Sequence, residues 1–252
     1  MKKHAFQNLV VDHMTFLVEP RFYNITYVLF RVVFGVTPED VIYEKRRTWP
    51  GEKEESSMTF ASRLGRQEGK KDLDSTMVAV VQPTEPAKQR SHVREILKNR
   101  GGSAHWQHIA LRTPDLMSFH EHCLERGVNF ITPILKDAEE DLIQVFSGEW
   151  KLPGAIASGI FFEFVQRDPD EAVLRKVEKR QAFFRDKTFM GLYQEKENEY
   201  QSGKVQPFID DALFLKLEKL VGSKKVWQIS DADLEKAESV MMEYARPRIA
   251  AR

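Results

Sequence analysis

The sequence predicts an α+β fold built from two copies of one βαβββ module. A strand pattern, a helix pattern and three more strand patterns come first, and the same order recurs after residue 101. The two modules are predicted over residues 8–84 and 101–167. Strands and helices repeat their apolar positions with different periods, about 2 against 3.6 residues, and this difference distinguishes the elements. Helical patterns alone follow the second module.

The first module begins with residues 8–18, which are apolar on both faces of the predicted strand, as is typical of a buried sheet. Pro20 starts a helix pattern in which apolar residues recur every three or four positions up to Val33. Gly35 suits the end of that helix. Three strands are predicted after it, over 40–48, 57–64 and 75–83.

The second module begins with a strand pattern over residues 104–112. Thr113 is the predicted N-cap of the next helix, with Pro114 as its first residue and Gly127 at its end. A helix over 87–100 is predicted to connect the two modules. The remaining strands of this module are predicted over 128–134, 141–147 and 158–166.

Amphipathic, highly charged helices follow Arg167, and Ser230 is the predicted cap of the last one. We expect a two-module domain over residues 1–203 and a helical C-terminal extension over 204–252. The apolar stripes of these helices should pack either on the same chain or on a second copy in a homodimer. Charged runs such as EKENE are expected to face solvent. The helices are predicted over 169–201, 207–221 and 231–245.

Composition narrows the classes of function. The 252 residues include 38 Lys and Arg and 38 Asp and Glu, a balance that argues against a dedicated nucleic-acid-binding protein. Cys123 is the single cysteine, which excludes an intramolecular disulfide and a cysteine-based metal cage. The richest apolar stretch, residues 27–34, is too short to span a bilayer, and the N-terminus has no secretory-signal pattern. We expect a cytoplasmic protein that binds neither membranes nor nucleic acid.

Three polar residues occur where the strand patterns call for apolar ones: His13, His108 and Glu163. Burying an unpaired carboxylate costs on the order of several kcal/mol, so Glu163 needs a partner. Two imidazoles and one carboxylate on separate strands fit the facial triad that binds non-haem Fe(II). The residues alone leave a second interpretation open, in which the histidines are ordinary core residues and Glu163 pairs with Arg112 or Arg167.

Three stretches of the second module, GGSAHWQHIALRTPDL, LIQVF and FFEFVQR, resemble the C-terminal catalytic half of the 4-hydroxyphenylpyruvate dioxygenases. This family belongs to the vicinal-oxygen-chelate (glyoxalase/bleomycin resistance/dioxygenase) superfamily. The resemblance runs over residues 9–201 and is dense at 101–113 and 142–167. It implies that the repeated modules curl into an open mixed β-barrel around a metal.

The resemblance also implies a cofactor and an activity. Fe(II), or another divalent metal, is expected to be bound by His13, His108 and Glu163. The implied enzyme is an Fe(II)-dependent dioxygenase of aromatic amino acid catabolism, with a 2-oxo acid and O₂ as its small-molecule partners. It would act on an aromatic or related 2-oxo acid and couple oxidative decarboxylation to hydroxylation of the same molecule.

Substrate contacts are implied at six further positions. In the family an asparagine stands at the position of Thr84 and a glutamine at that of His92, and the family's C-terminal asparagine is Thr188 here. These amides help to bind the polar groups of the substrate, so the departures put 4-hydroxyphenylpyruvate itself in question. The six positions are Thr84, His92, Gln144, Phe146, Phe184 and Phe189.

Two other functions are left open at this point. One is a non-redox, metal-dependent epimerase or lyase of the same superfamily, which would not depend on O₂. The other is a non-catalytic relative that binds an aromatic ligand. Ligand binding without turnover, unaffected by Glu163→Ala, would favour this last function.

Overall fold

The computed structural model describes residues 4–65, 76–137, 141–181 and 189–250. The helices are α1 (Pro20–Val32), α2 (His92–Asn99), α3 (Leu116–Glu125), α4 (Glu171–Gln181), α5 (Phe189–Ser202), α6 (Asp211–Val221) and α7 (Asp231–Ala250). The strands are β1 (Val10–Val18), β2 (Val41–Arg47), β3 (Ser56–Leu64), β4 (Thr76–Val81), β5 (Ala104–Arg112), β6 (Leu135–Asp137), β7 (Leu142–Phe146) and β8 (Phe161–Arg167).

The strands form one mixed sheet in the order β2-β3-β4-β1-β5-β8-β7-β6. β1 pairs with β4 in parallel, whereas β2, β3 and β4 pair antiparallel in sequence, as do β6, β7 and β8. The strand order of the first module is therefore mirrored in the second, with β1 and β5 adjacent. The predicted fold class is confirmed: α+β, with two βαβββ modules in an open mixed sheet and a helical C-terminal extension.

The chain divides into two compact units. The first unit is residues 11–111 with 196–203, and the second is residues 1–10, 112–195 and 204–252. The predicted division between residues 1–203 and 204–252 stays a prediction. Among the helices of the described ranges, none has both the length and the apolar character that crossing a bilayer requires.

In the first unit, α1 covers one face of the strands. Pro20 is the first residue of α1, and the Glu19 side chain caps the helix by accepting a hydrogen bond from the Arg21 amide at 2.9 Å. Alternate residues of β1 point to opposite faces of the sheet. The face under α1 has a continuous apolar core, which comprises Val18, Tyr23, Phe30, Val36, Phe60, Val78 and Val80.

In the second unit, α3 covers one face of β8 in the same way. The Phe119 ring of α3 packs edge-on against Phe164 of β8, with the ring centroids 4.8 Å apart. Phe161, Glu163 and Val165 occupy the alternate positions of β8, so they point to the face opposite α3. In both modules a helix fills one face of the sheet and leaves the other face for different contacts.

The predicted N-cap of α3 is wrong by two residues. Asp115 caps this helix, because its Oδ1 accepts a hydrogen bond from the Ser118 amide at 3.0 Å. The Thr113 hydroxyl instead donates to the carbonyl of Phe6 at 2.7 Å. Thr113 therefore fastens the N-terminal segment rather than starting the helix.

Three other predicted boundaries are also wrong. No regular strand covers 128–134, since Val128 forms an isolated bridge with Ile209 of the C-terminal segment and the β6 strand begins only at Leu135. The helix predicted from residue 207 begins at Asp211, because Pro207 and Ile209 form isolated bridges with Glu149 and Val128. The connecting helix begins at His92 rather than at residue 87.

The C-terminal extension packs on α3. The guanidinium of Arg126, just after α3, bonds the carboxylate of Glu238 in α7. Leu213 of α6 is fully buried. A methyl group on the neighbouring Gly127 would lie 2.8 Å from its Cδ2 atom. The predicted packing of the amphipathic helices on the same chain is thus seen for α6 and α7.

Candidate metal centre

His13 lies on the face of β1 that points away from α1. In the parallel pairing with β4, His13 is level with Met77 and Thr15 is level with Ala79. His108 of β5 lies beside this face, because its Nε2 is 2.8 Å from the Thr15 hydroxyl oxygen. The rings of His13 and His108 are 5.7 Å apart between centroids and nearly perpendicular. The strand pattern therefore directs both imidazoles to one place.

Glu163 lies in the middle of β8 and is 3% exposed. In the antiparallel pairing of β7 with β8, Phe146 is level with Glu163 and Gln144 is level with Val165. Directly opposed residues of an antiparallel pair project from the same face. Gln144 and Phe146 therefore share the face of Glu163, and both are buried.

The three predicted metal ligands come together in the chain. One ligand atom from each of His13, His108 and Glu163 lies within 4.8 Å of the other two. Ligands bound at about 2.1 Å from a metal ion are roughly 3 to 4 Å apart, so a small adjustment would seat one ion. Imidazole nitrogen and carboxylate oxygen suit first-row divalent metals, among them Fe(II). The residues present fit the predicted cofactor.

Two neighbouring side chains orient the imidazoles. The Asp12 carboxylate lies 3.1 Å from Nδ1 of His13. A proton on that nitrogen leaves the lone pair on Nε2, where a metal needs it. The Thr15 hydroxyl fixes the ring of His108 from the other strand. Neither residue was predicted to belong to the site, although Thr15 lies two positions after His13 on the same face, a spacing that could have indicated it.

Two of the predicted substrate-binding residues have partners within the first unit. The Thr84 hydroxyl accepts a hydrogen bond from the Trp49 indole at 3.1 Å. His92 is buried, and the Glu197 carboxylate accepts a hydrogen bond from its amide at 2.7 Å and lies 3.2 Å from its Nδ1. Burial raises the pKa of Glu197, but the interactions with His92 and the hydrogen bond from Gln201 together outweigh burial and lower that pKa to about 2. The roles of Thr84 and His92 toward substrate stay predictions.

The predicted aromatic contacts from the C-terminal part fall partly outside the described residues. Phe184 lies outside them, and Phe189 is the first residue of α5. Further along α5, Leu192 packs in one cluster with Phe146 and Phe161. Because these two phenylalanines share the face of Glu163, α5 contacts that face. The substrate roles of Gln144, Phe146, Phe184 and Phe189 stay predictions.

The expectation that the charged run EKENE faces solvent is wrong for three of its residues. The side chains of Glu197 and Glu199 are only 12% and 13% exposed. Lys196 in α5 is fully buried, and its Nζ lies 2.7 Å from the Glu199 carboxylate. A buried ammonium needs such a partner, because transfer out of water disfavours the charged form.

No protein-family model matches the sequence, and no curated protein matches it. A mutant of 4-hydroxymandelate synthase from Streptomyces coelicolor is 15% identical with a TM-score of 0.49, over 76% of this chain and 55% of that chain. A methylmalonyl-CoA epimerase from Mycobacterium tuberculosis is 14% identical with a TM-score of 0.44, over 69% and 97% of the two chains. The chain thus spans about half the length of the synthase. At this level of likeness neither a family nor an activity is assigned.

Proposed function

We propose that the chain is an Fe(II)-dependent oxygenase that acts on an aromatic or related 2-oxo acid. The observation that carries this proposal is the approach of His13, His108 and Glu163 to within 4.8 Å of one another. Three protein ligands of this type leave coordination positions open for other molecules. When bound, Fe(II) supplies the redox chemistry that couples loss of CO₂ to hydroxylation of the same molecule. One oxygen atom of O₂ enters the new carboxylate and the other enters the hydroxyl group, so no external reductant is required.

The protein's own residues hold the ligands and shape the surroundings. Asp12 and Thr15 fix the two imidazole rings, so the metal site is oriented before substrate arrives. Gln144 offers an amide that can both donate and accept hydrogen bonds to substrate oxygens. Phe146 offers an apolar surface to an aromatic ring. Both lie on the face of the carboxylate ligand.

The partners of Thr84 and His92 favour a substrate that differs from 4-hydroxyphenylpyruvate. The Thr84 hydroxyl is engaged by Trp49, and His92 is engaged by Glu197. Neither residue supplies the amide that the resembling family uses at these positions. We therefore expect the polar end of the substrate to be recognised differently, while the 2-oxo acid remains the metal-binding part.

The test is O₂ uptake by protein loaded anaerobically with Fe(II) and given a panel of 2-oxo acids, 4-hydroxyphenylpyruvate included. We expect uptake with an equimolar release of CO₂, and loss of both in His108→Ala. The matched control is His105→Ala, which removes another histidine of β5 three residues away and should retain activity.

Three outcomes would contradict the proposal in different ways. Bound iron with no O₂ uptake on any 2-oxo acid would exclude the oxygenase. Metal-dependent exchange of a substrate α-proton without O₂ would then indicate an epimerase or lyase. Iron binding that is unchanged in His108→Ala and Glu163→Ala would show that the three residues are not the metal ligands.

A further inference from the structure

The surface of α1 that faces away from the strands is apolar. Tyr23, Thr26 and Phe30 are the buried residues of this helix and face the sheet. Seven other apolar residues on α1 and just after it are between 45% and 77% exposed. A helix that is apolar on both its inner and outer sides is normally covered on both. We call these residues the α1 outer face: Phe22, Ile25, Val28, Leu29, Val32, Val33 and Phe34.

The α1 outer face has the area of one side of a protein interface. With about 150 to 200 Å² for the full surface of each such side chain, the exposed part sums to roughly 700 Å². The largest apolar patch of a typical monomer is about 300 to 600 Å². A standard interface buries about 800 Å² on each partner. The patch is therefore larger than expected for an isolated surface and close to what a stable dimer needs.

The two ends of the α1 outer face carry different features, a hollow at one end and an exposed aromatic ring at the other. At its beginning, Phe22 and Ile25 line a hollow of about 490 Å³ together with Glu19, Arg21 and the Gly101–Ser103 loop. At its end, the exposed Phe34 ring stands against the edge of Phe30, with the centroids 5.7 Å apart. A two-fold symmetric interface requires each copy to carry both the protruding group and the hollow that receives it.

The spacing of these two features favours an antiparallel pair of α1 helices. If the two-fold axis passes near Val28, then Phe34 of one copy lies opposite Phe22 of the other, because both are six residues from the axis. Each Phe34 then meets the hollow of its partner. The arrangement closes on itself, so it forms a dimer and not a filament.

The charges around the α1 outer face agree with this pairing. None of its seven residues is ionisable. In the antiparallel register Arg21 lies opposite Gly35 and Arg31 opposite Ile25, so no like charges meet. Peripheral membrane binding uses an apolar face backed by a strongly polar, cationic one, whereas the other side of α1 is buried against the sheet. The face therefore fits a second copy of this chain better than a lipid surface.

We propose that the α1 outer face is the interface of a two-fold symmetric homodimer with antiparallel α1 helices. The first test is sedimentation velocity of the full chain from 1 to 100 μM. We expect a dimer, and at least a 100-fold weaker dimerisation constant in Val32→Glu and in Ile25→Glu. The matched control is Val226→Glu, at a valine that is 83% exposed elsewhere and should leave the dimer unchanged. Circular dichroism checks that each variant is folded.

A second test reports the register of the two helices. Cys123 is the single cysteine and is buried, with its pKa raised by burial to about 12, so introduced thiols react selectively. On mild oxidation, Phe22→Cys chains mixed with Phe34→Cys chains should form a disulfide between copies. Phe22→Cys alone should not.

Several results would overturn the proposal. A wild-type chain that is monomeric at 100 μM, or a dimer that persists in both Glu variants, would show that this face is not the interface. Cross-linking of Phe22→Cys with itself would exclude the antiparallel register. Binding of a monomer to vesicles of phosphatidylcholine and phosphatidylserine, lost in Val32→Glu, would show that the face binds lipid instead.

Discussion

The helices α1 and α3 occupy equivalent positions in the two modules, yet their outer surfaces differ in both polarity and exposure. The outer side of α3 is polar but is covered by its own chain. Phe6 packs on His122 with the rings 5.4 Å apart, and Arg126 pairs with Glu238 of α7. The outer side of α1 is apolar but exposed. The βαβββ module therefore requires an apolar inner side of its helix, whereas the outer side differs between the two modules with what covers it.

The largest expected effect concerns residues 206–209, which lead into the helices α6 and α7 that pack on α3. A methyl group on Gly148 would lie 2.2 Å from the carbonyl oxygen of Pro207. Because both are backbone positions, the segment must move away, and we expect Gly148→Ala to lower the free energy of unfolding by more than about 4 kcal/mol. Urea denaturation measures this loss.

Gly154→Ala is the matched control for Gly148→Ala. Gly154 has a φ of +71° and open space around it, so an alanine there meets only the cost of a left-handed backbone, about 1 to 2 kcal/mol. Equal losses in the two variants would mean that the segment around Pro207 does not pack on Gly148.

The next effect compares the same substitution in α6, which covers α3, and in α1. Leu213 of α6 is fully buried near the end of α3, whereas Leu29 of α1 is 46% exposed. Leu213→Ala should cost about 2 to 5 kcal/mol through lost burial and a cavity. Leu29→Ala should cost about 1 kcal/mol or less at a protein concentration where the chain is monomeric. Thermal unfolding of both variants gives the two values, and similar losses at low concentration would contradict the stated difference in cover.

A smaller effect depends on pH and concerns the contact of α2 with α5. The pKa of Glu197 is about 2 in the folded chain and about 4.3 when unfolded. Its contribution to stability is therefore complete above about pH 4.3 and is lost as the pH falls toward 2. Since solvent reaches part of the carboxylate, we expect about 1 kcal/mol, or roughly 2 to 4 °C in Tm. Glu197→Gln should remove this part of the difference in Tm between pH 6 and pH 3, and an unchanged difference would contradict the pairing with His92.

The sequence predicts the modules well because each element buries one side of itself, and burial leaves a local pattern. The strand over 104–112 and the helix that starts at Pro20 agree with the structure for this reason. Predictions failed where the partner is distant along the chain. Residues 128–134 lack a regular strand because Val128 pairs with Ile209. The periodicity of apolar residues within a segment gives no information about a contact with a distant segment.

The candidate site likewise includes features that the sequence pattern indicates and contacts that it does not. Polar residues inside apolar strands stand out, so His13, His108 and Glu163 could be selected as candidates from residue type and position. Strand periodicity places Thr15 on the face of His13, but it does not indicate the contact of Thr15 with His108, which lies 93 positions away. The burial of Lys196 was also not predicted, because a run of charged residues has no sequence signal that distinguishes a lysine facing water from one paired with a buried carboxylate.

The smallest effect is a rate, and it compares the two helices directly. Cys123 of α3 is buried, and burial raises its pKa to about 12. Only the thiolate reacts with disulfide reagents, so at pH 8 the thiolate fraction of Cys123 is on the order of one ten-thousandth. We therefore expect Cys123 to react with 5,5′-dithiobis(2-nitrobenzoate) at less than about 1% of the rate of free cysteine. A thiol placed by Val32→Cys on the exposed side of α1 should react at nearly the free rate in dilute protein and more slowly as concentration rises. Equal rates for the two thiols in dilute protein would show that α1 is covered within its own chain. A Val32→Cys rate that does not change with protein concentration would show that no second copy covers α1.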